Sequence, residues 1–514
     1  MKVHSIKLIG FFFILSFFCL FLFSPDSIIY DPLLHHWDVS CFYTCGRAWM
    51  NEMIPYVDFA DSKGPLLWLI YGIGYLISPH DYLGVFLLSI PLYTCIFYYL
   101  FKISFIFLQD KRKSMIVVFF LITSLFCVFY HNEIRAEDWC QIFIAACLYR
   151  ICSFLYTEEG KKNKATYCTC CIVGLSLAGT LLIKYSITVM LGISTLYLLY
   201  ALVKERKNII CCTLFLLFGA SIIIIPISIY LLLIGNIMAF VNEYFVITMQ
   251  TIDLDSNNSV ATYVHEWLRL TYDTHFVILF VICMLGAIMM ASKSPNYRGF
   301  FIISFGGFFA IAIHHCSTIV FYYLTACSIF PIWFCISFVE KVKSTTKLKY
   351  ALITVLTYTV ISNLFINFGY IREDLFLIDS KARQDKYRMA YYMSQLSHPT
   401  ILFYKCIDNG IGVLSEALPC IRYWTYQAGP TKEMTMSQDI AVKRQTADFI
   451  FSDDNDGLLE FKSNLIIKAG YHEIYHGKYG KHNYKFFTKH HLKQPSEEFY
   501  VSSWDVLFRR NVFN

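Results

Sequence analysis

The sequence predicts a polytopic α-helical membrane protein that ends in a water-soluble domain. Apolar residues make up 57% of the 514-residue chain and charged residues only 16%, whereas an average soluble domain is about 25% charged. The charge is also unevenly spread, because residues 370–514 hold 36 of the 80 charged side chains. Apolar runs of about 20 residues, the length that crosses a bilayer, recur throughout residues 1–369.

We expect about 11–13 transmembrane helices. The run at 6–23 is interpreted as an uncleaved first helix, since no small-residue cleavage site follows it. The further apolar runs are 65–78, 84–108, 114–130, 139–156, 166–183, 186–203, 209–233, 276–291, 300–313, 319–339 and 350–368.

The basic clusters predict the orientation of these helices. Positive charge marks cytoplasmic loops, and it is concentrated at 111–113, 161–164, 204–207, 293–298 and 341–349. The loops 24–64, 131–138 and 234–275 then lie outside, as does the tail. With residue 65 outside and residue 111 inside, the segment 65–108 must cross the membrane an odd number of times, although it is long enough for two helices. Either 65–78 is re-entrant or interfacial, or one basic cluster is misleading. We therefore expect a transmembrane domain at 1–369 and an extracytoplasmic soluble domain at 370–514.

The tail has the pattern of a small α/β or α+β domain. Strand-like runs, "TILFYKCI", "DFIFSD" and "YKFFTKHH", alternate with the turn-rich stretches "DNGIG" and "DDNDG". Only two of the 19 cysteines, Cys406 and Cys420, lie in the tail, where they form a disulfide or stay thiols depending on the compartment. No cysteine spacing indicates zinc. No P-loop or GxGxxG motif indicates nucleotide hydrolysis, and we expect no nucleic-acid partner.

The stretch 30–67 is the richest in groups that can carry chemistry. It places seven ionisable residues on one outer loop between apolar helices: Asp31, Asp38, Arg47, Glu52, Asp58, Asp61 and Lys63. A carboxylate there can act as a general base on an attacking hydroxyl, and a lysine can bind a phosphate group. The alternative is a solvated loop with ordinary charges.

A family resemblance appears in the same stretch. An outer aspartate, "GRA", and then "PYVDFADSKGPLL" before an apolar helix resemble the GT-C glycosyltransferases. More narrowly, they resemble the branch of protein O-mannosyltransferases and lipid A aminoarabinose transferases, which is glycosyltransferase family 39-like. The matching residues are Asp38, Gly46, Pro55, Tyr56, Asp58, Asp61, Lys63, Gly64 and Pro65. The family's "KPP" is "KGP" here, which keeps the lysine.

The resemblance implies transfer of a sugar on the outer face of a bacterial inner membrane. The donor would be a polyprenyl-phosphate-linked sugar, and the acceptor a hydroxyl of a glycan, a lipid or a protein. The enzyme would be a hexosyl- or pentosyltransferase without a cofactor, its need for a divalent metal left open. By the same resemblance Asp38 is the catalytic base, Lys63 holds the donor phosphate, and Asp58 and Asp61 are supporting acids.

Asp38 has a second interpretation. Trp37 and the membrane surface are expected to desolvate its carboxylate, which makes a better base. An aspartate before "VSCFYTCGRAWM" is equally suited to cap the N-terminus of a helix.

The second outer segment, "HNEIRAEDWC", supplies further candidates. The resemblance favours Glu137 as a supporting acid and Arg135 as a contact of the donor phosphate. The alternative is that "RAED" only begins a helix, where acids suit the helix dipole. Lys184 interrupts an apolar stretch, so we expect it to snorkel to the interface or to contact a lipid phosphate. The loop 234–275 is expected to form an amphipathic helix on the membrane.

Two other classes of function compete with the transferase. One is a transporter or flippase for lipid-linked saccharides, which favours ionisable residues or broken helices near the bilayer midplane. The other is an envelope assembly protein, for which the tail would be the working part. The loop 30–67 discriminates among them, because only the transferase needs Asp38 and Lys63.

Overall fold

The structure is a computed structural model. It describes residues 2–24, 37–126, 134–249, 274–294, 297–314, 325–342, 346–347, 349–351, 353–355, 357–358, 381–426, 430–454, 457–479, 482–496, 499 and 501. Asp31, the first six residues of the predicted span 319–339 and most of the predicted span 350–368 lie outside the described residues.

Helices dominate the described part of the chain. They are α1 Lys2–Phe23, α2 Trp37–Met50, α3 Pro65–Ile77, α4 Leu83–Leu108, α5 Lys111–Phe126, α6 Ala136–Tyr156, α7 Glu158–Lys161, α8 Asn163–Ile183, α9 Tyr185–Lys204, α10 Ile209–Leu233, α11 Ile237–Phe240, a π-helix Val241–Ile247, α12 Thr274–Lys293, α13 Arg298–His314, α14 Ile332–Lys341, α15 Lys381–Met393, α16 Ile411–Ser415, α17 Lys432–Lys443 and α18 Leu459–Lys468.

The chain is a multi-pass membrane protein. In the described ranges five helices are long and apolar enough to cross a bilayer, and these are α4, α6, α8, α9 and α10. Each agrees with a span predicted from the sequence. Shorter apolar helices lie within α1, α3, α12 and α13. The total of 11–13 spans stays a prediction.

Two glycines let membrane helices approach closely. A Cβ atom added at Gly174 of α8 would lie 1.8 Å from the carbonyl oxygen of Leu216 in α10. A Cβ added at Gly219 would lie 1.8 Å from the carbonyl oxygen of Cys171. Reciprocal small residues of this kind are how helices pack in lipid, where burial of apolar surface gives little drive for association.

The length of α3 indicates how many times the segment 65–108 crosses the membrane. Helix α3 has 13 residues, which at 1.5 Å per residue is about 20 Å, shorter than the hydrocarbon core of about 30 Å. Helix α4, with 26 residues, is long enough to span. The interpretation of 65–78 as a re-entrant or interfacial segment is therefore favoured over a misleading basic cluster.

The chain separates into two compact units. Unit 1 consists of 1–23, 89–229 and 255–367, and unit 2 consists of 24–88, 230–254 and 368–514. The segment 24–64, the segment after α10 and the tail thus belong to the same unit. The predicted boundary between a transmembrane domain at 1–369 and a soluble domain at 370–514 stays a prediction.

The tail contains a five-stranded mixed sheet. Its strands are β1 Thr400–Phe403, β2 Leu418–Pro419, β3 Phe449–Asp453, β4 His472–Tyr479 and β5 His482–Thr488, in the order β2-β1-β3-β5-β4. Strand β1 pairs in parallel with β2 and β3, whereas β5 is antiparallel to β3 and β4. The three predicted strands and the mixed α and β content are confirmed. Cys406 and Cys420 are free thiols.

Candidate active site

Helix α2 carries Asp38 and packs along α3. The crossing is made at two glycines, because a Cβ added at Gly46 would lie 2.5 Å from the backbone nitrogen of Gly72. Asp38 is the second residue of the helix Trp37–Met50, so the prediction that it is the N-cap is wrong in its literal form. An acid in the first turn still interacts favourably with the helix dipole. The carboxylate is half-buried.

The loop between α2 and α3 is held by a tight turn. Asp58 accepts a hydrogen bond from the backbone N–H of Ile54 at 2.7 Å, and Tyr56 has a left-handed backbone with φ of 65°. The Tyr56 hydroxyl donates to the carbonyl of Lys63 at 3.2 Å. Asp58 is therefore engaged in the turn, and the turn sets the course of the backbone toward Asp61 and Lys63.

Asp61 is the buried acid of this loop, with 7% of its surface exposed. Its Oδ1 accepts a hydrogen bond from the Ser62 hydroxyl at 3.4 Å, and its buried Oδ2 accepts none from any described residue. Burial raises the pKa of the Asp61 carboxyl above its ordinary value. Lys63 and the hydrogen bonds of Ser62 oppose the rise, and the negative charge of Asp38 adds to it. The Ser62 hydroxyl thus links Asp61 to Lys63, since it donates to the first and accepts from the second.

Lys63 lies just before the N-terminus of α3. Its Nζ donates to the Ser62 hydroxyl at 3.0 Å and lies 5.4 Å from the centre of the Phe42 ring, a distance typical of a cation–π contact. Gly64 is the N-cap and Pro65 the first residue of the helix, which is the usual place for proline. A lysine beside a helix N-terminus gives a local excess of positive charge suited to an anion.

The stretch "RAED" begins helix α6. The backbone N–H of Arg135, the N-cap residue, donates to Asp138 Oδ2 at 3.0 Å, and the Tyr93 hydroxyl donates to Asp138 Oδ1 at 2.9 Å. The interpretation of "RAED" as a helix start is confirmed. A contact of Arg135 with a donor phosphate stays a prediction.

Glu137 is paired with Lys184. The Lys184 ammonium donates to Glu137 Oε1, and the two residues are 7% and 2% exposed respectively. The prediction that Lys184 snorkels is wrong, because its ammonium is buried against an acid that compensates its charge. Lys184 is also the single residue between α8 and α9. A role for Glu137 as a supporting acid stays a prediction.

Three groups in unit 2 were given no role of their own from the sequence. Arg47 of α2 is fully buried and donates to the carbonyl of Gly412 at 2.8 Å and to that of Ala417. Asp408 is buried and accepts from the backbone N–H of Gly410 at 2.8 Å, and burial raises its pKa to about 6. The turn sequence "DNGIG" around Asp408 was the only available signal, since partners more than 300 residues apart leave no pattern in one sequence.

The third group surrounds Glu243 in the π-helix. The helical character predicted for this stretch is confirmed at 237–249, whereas a position on the membrane surface stays a prediction. Glu243 is 4% exposed and accepts hydrogen bonds from Arg422 and Tyr423. Within the described ranges, no three His, Cys, Asp or Glu side chains come together as a possible set of metal ligands.

Comparison with known proteins gives the fold. No family model matches the chain and no curated protein matches its sequence. It is similar to the crystal structure of ArnT from Cupriavidus metallidurans bound to undecaprenyl phosphate, with a TM-score of 0.58, 10% identity, and coverage of 95% of this chain and 98% of that one. The apo state of the same ArnT gives a TM-score of 0.53 at 9% identity, with coverage of 94% and 98%.

A third structure is the apo oligosaccharyltransferase of Archaeoglobus fulgidus. It gives a TM-score of 0.46 at 10% identity, covering 96% of this chain and 74% of that one. The ArnT likeness extends over nearly the whole of both chains, and it agrees with the fold that the motif in the outer loop predicted. The chain has a GT-C-like membrane fold, similar to that of ArnT.

Proposed function

We propose that this protein is an integral membrane glycosyltransferase that moves a sugar from a polyprenyl-phosphate-linked donor to a hydroxyl acceptor. The observation that carries the proposal is the loop of unit 2 in which the Ser62 hydroxyl links the buried Asp61 to Lys63, with the charge of Asp38 acting on Asp61. A base for the acceptor and a cation for the leaving phosphate are the two groups that such a displacement needs. The undecaprenyl phosphate bound to ArnT supports the donor class.

The reaction follows from the roles of these side chains. The Asp38 carboxylate takes the proton of the acceptor hydroxyl, whose oxygen forms a bond to the anomeric carbon of the sugar. The bond between that carbon and the phosphate oxygen breaks, and the phosphate leaves with the electron pair. Lys63 and the N-terminus of α3 stabilise the added negative charge. The displacement inverts the configuration at the anomeric carbon.

The finer assignments belong to the same proposal. The sugar is a hexose or a pentose, and the acceptor is a glycan, a lipid or a protein. The protein resides in the inner membrane of a bacterium with the tail outside. An alkaline phosphatase fusion after residue 400 should be active. An inactive fusion, with an active cytoplasmic reporter at the same position, would reverse this orientation.

The proposal is tested with the full-length protein in lipid nanodiscs. Asp38→Asn keeps the shape of the side chain but removes the base, so transfer should fall about 10²-fold or more while undecaprenyl phosphate still binds. Lys63→Ala should weaken binding of undecaprenyl phosphate, and Lys63→Arg should retain part of it. Lys162→Ala is the matched control, because that lysine is exposed and pairs only with Glu159 among the described residues.

The outcomes separate the proposed function from its competitors. Wild-type transfer by both Asp38→Asn and Lys63→Ala would remove these residues from the site. Movement of a lipid-linked saccharide across the bilayer without any bond being broken would favour a transporter or flippase. Binding of neither donor nor undecaprenyl phosphate by the wild-type protein would favour an envelope assembly protein.

A further inference from the structure

Glu243 of the π-helix is a buried acid with three hydrogen bonds. The Tyr423 hydroxyl lies 2.9 Å from Oε1 and 3.1 Å from Oε2, and Arg422 Nη1 donates to Oε1 at 3.0 Å. Burial raises the pKa of Glu243, while the bonds from Tyr423 and Arg422 oppose the rise. A charge this deeply buried is kept only where it is paired and hydrogen-bonded.

Arg422 also holds the outer loop. Its Nε donates to the carbonyl of Val57 at 3.3 Å, and its own carbonyl accepts from the backbone N–H of Ala60 at 3.0 Å. Ala60 is the residue immediately before Asp61, and it packs in one apolar cluster with Tyr423, Ile247 and Met434. One residue of the tail therefore bonds the loop at two points and the π-helix at a third.

The chemistry of Arg422 suits this arrangement. A guanidinium presents several N–H donors in a rigid plane, so Nη1 and Nε serve two acceptors at a fixed angle. A lysine ammonium at the same place has the charge for Glu243 but lacks the fixed second donor for Val57. The π-helix itself is a rare form that is frequently found at functional sites.

We propose that Arg422, together with Glu243 and Tyr423, positions the segment 57–63 so that Lys63 is held in place for the donor phosphate, with Asp61 beside it. Arg422 is a positioning residue, since it acts on the site through Glu243 and the loop backbone. This inference rests on the proposed function. The competing explanation is that the three residues only stabilise the tail.

The test uses the full-length protein in nanodiscs and two readouts. The first is hydrogen–deuterium exchange of a peptide covering 57–64, which needs no activity. The second is the Kd for undecaprenyl phosphate together with kcat/KM for the donor. The variants are Arg422→Lys, which keeps the charge, and Arg422→Ala. Lys485→Ala is the matched control, because it removes the ion pairs of that lysine with Glu460 and Glu473 within the tail.

Arg422→Lys should raise exchange at 57–64 about tenfold while residues 400–403 and 449–453 stay as protected as in the wild type. Donor kcat/KM should fall about tenfold, less than the roughly 10²-fold that a misplacement of about 1 Å can cost. The control should change neither readout at 57–64. Unchanged exchange at 57–64 in both Arg422 variants overturns the proposal, as does an equal rise over the whole tail. If the wild type neither transfers nor binds, the proposed function fails, and the exchange measurement still decides the positioning role.

Discussion

Buried acids are treated differently in two regions of this protein. At the start of α6, Asp138 accepts bonds from Tyr93 and from the backbone of Arg135, and Glu137 is paired with Lys184. In the loop between α2 and α3, Asp61 is also buried, yet its Oδ2 accepts no hydrogen bond from the described part of the chain. Both regions were predicted from the sequence to contribute acids to one site.

This difference distinguishes acids that stabilise the fold from acids that take part in the reaction. A buried polar atom without a partner costs about 1–3 kcal/mol, and such a cost persists mainly where function requires it. Glu137 and Asp138 have the partners of acids that hold a structure together. Asp61 has one oxygen without a donor among the described residues, as expected of an acid that interacts with a substrate. The predictions below test this division, beginning with the largest effect.

Lys184→Met should destabilise unit 1 by about 3–5 kcal/mol. The substitution leaves the Glu137 carboxylate buried with no compensating charge, which is the costly way to break a buried ion pair. Chemical unfolding of the detergent-solubilised protein measures the change.

The double variant Glu137→Gln with Lys184→Met is the control. It removes both charges, so most of the lost stability should return. If the single variant is as stable as the wild type, the pair does not serve to hold the helices together, and Glu137 is again open to a role in the site.

Asp408 is an intermediate case, because it is buried and hydrogen-bonded and yet its pKa is raised to about 6. The native state binds the proton more tightly than the unfolded chain, so stability should fall as the pH rises from about 4 to 6. Because the pKa of Asp408 rises by about two, the free energy of unfolding should fall by about 3 kcal/mol over this range. Asp408→Asn should abolish this dependence.

The measurement compares unfolding of Asp408→Asn and the wild type at pH 4.5 and pH 7.5. The stability of the variant relative to the wild type should be greater at the higher pH. Taking the difference between the two proteins removes the contributions of Asp61, Glu243 and the other titrating groups. An identical difference at both pH values would show that burial of Asp408 does not favour its protonated form.

The sequence predicted the membrane helices and the tail strands well, and the division among the acids poorly. Helices such as α8 and strands such as β3 follow from local apolar patterns, which one sequence displays directly. The pairing of Glu137 with Lys184, and of Arg422 with Glu243, joins residues far apart in the chain. A single sequence does not show whether a charged residue has an ion-pair partner in the fold. Lys184 was therefore expected at the interface rather than buried.

Asp61→Asn should lower transfer about tenfold, equivalent to about 1.4 kcal/mol, with little change in the stability of unit 2. The neutral amide removes the charge that burial disfavours, and it also removes the charge that acts on Asp38 and Lys63. Transfer in nanodiscs and chemical unfolding are measured on the same preparation. A large loss of stability with unchanged transfer would place Asp61 with the structural acids of α6.

Asp58→Asn should have the smallest effect, less than about twofold in transfer and about 0.5 kcal/mol or less in stability. Asp58 uses its Oδ2 to accept the Ile54 N–H at 2.7 Å, and an asparagine carbonyl accepts the same bond in a turn. The substitution matches Asp61→Asn in chemistry and lies three residues away, so it controls for any effect of removing one negative charge from the loop. If Asp58→Asn lowers transfer as much as Asp61→Asn does, the total charge of the loop matters rather than the unpartnered oxygen of Asp61. The hydrogen bonding of a buried acid would then not distinguish a structural role from a catalytic one, even between Asp58 and Asp61 in the same loop.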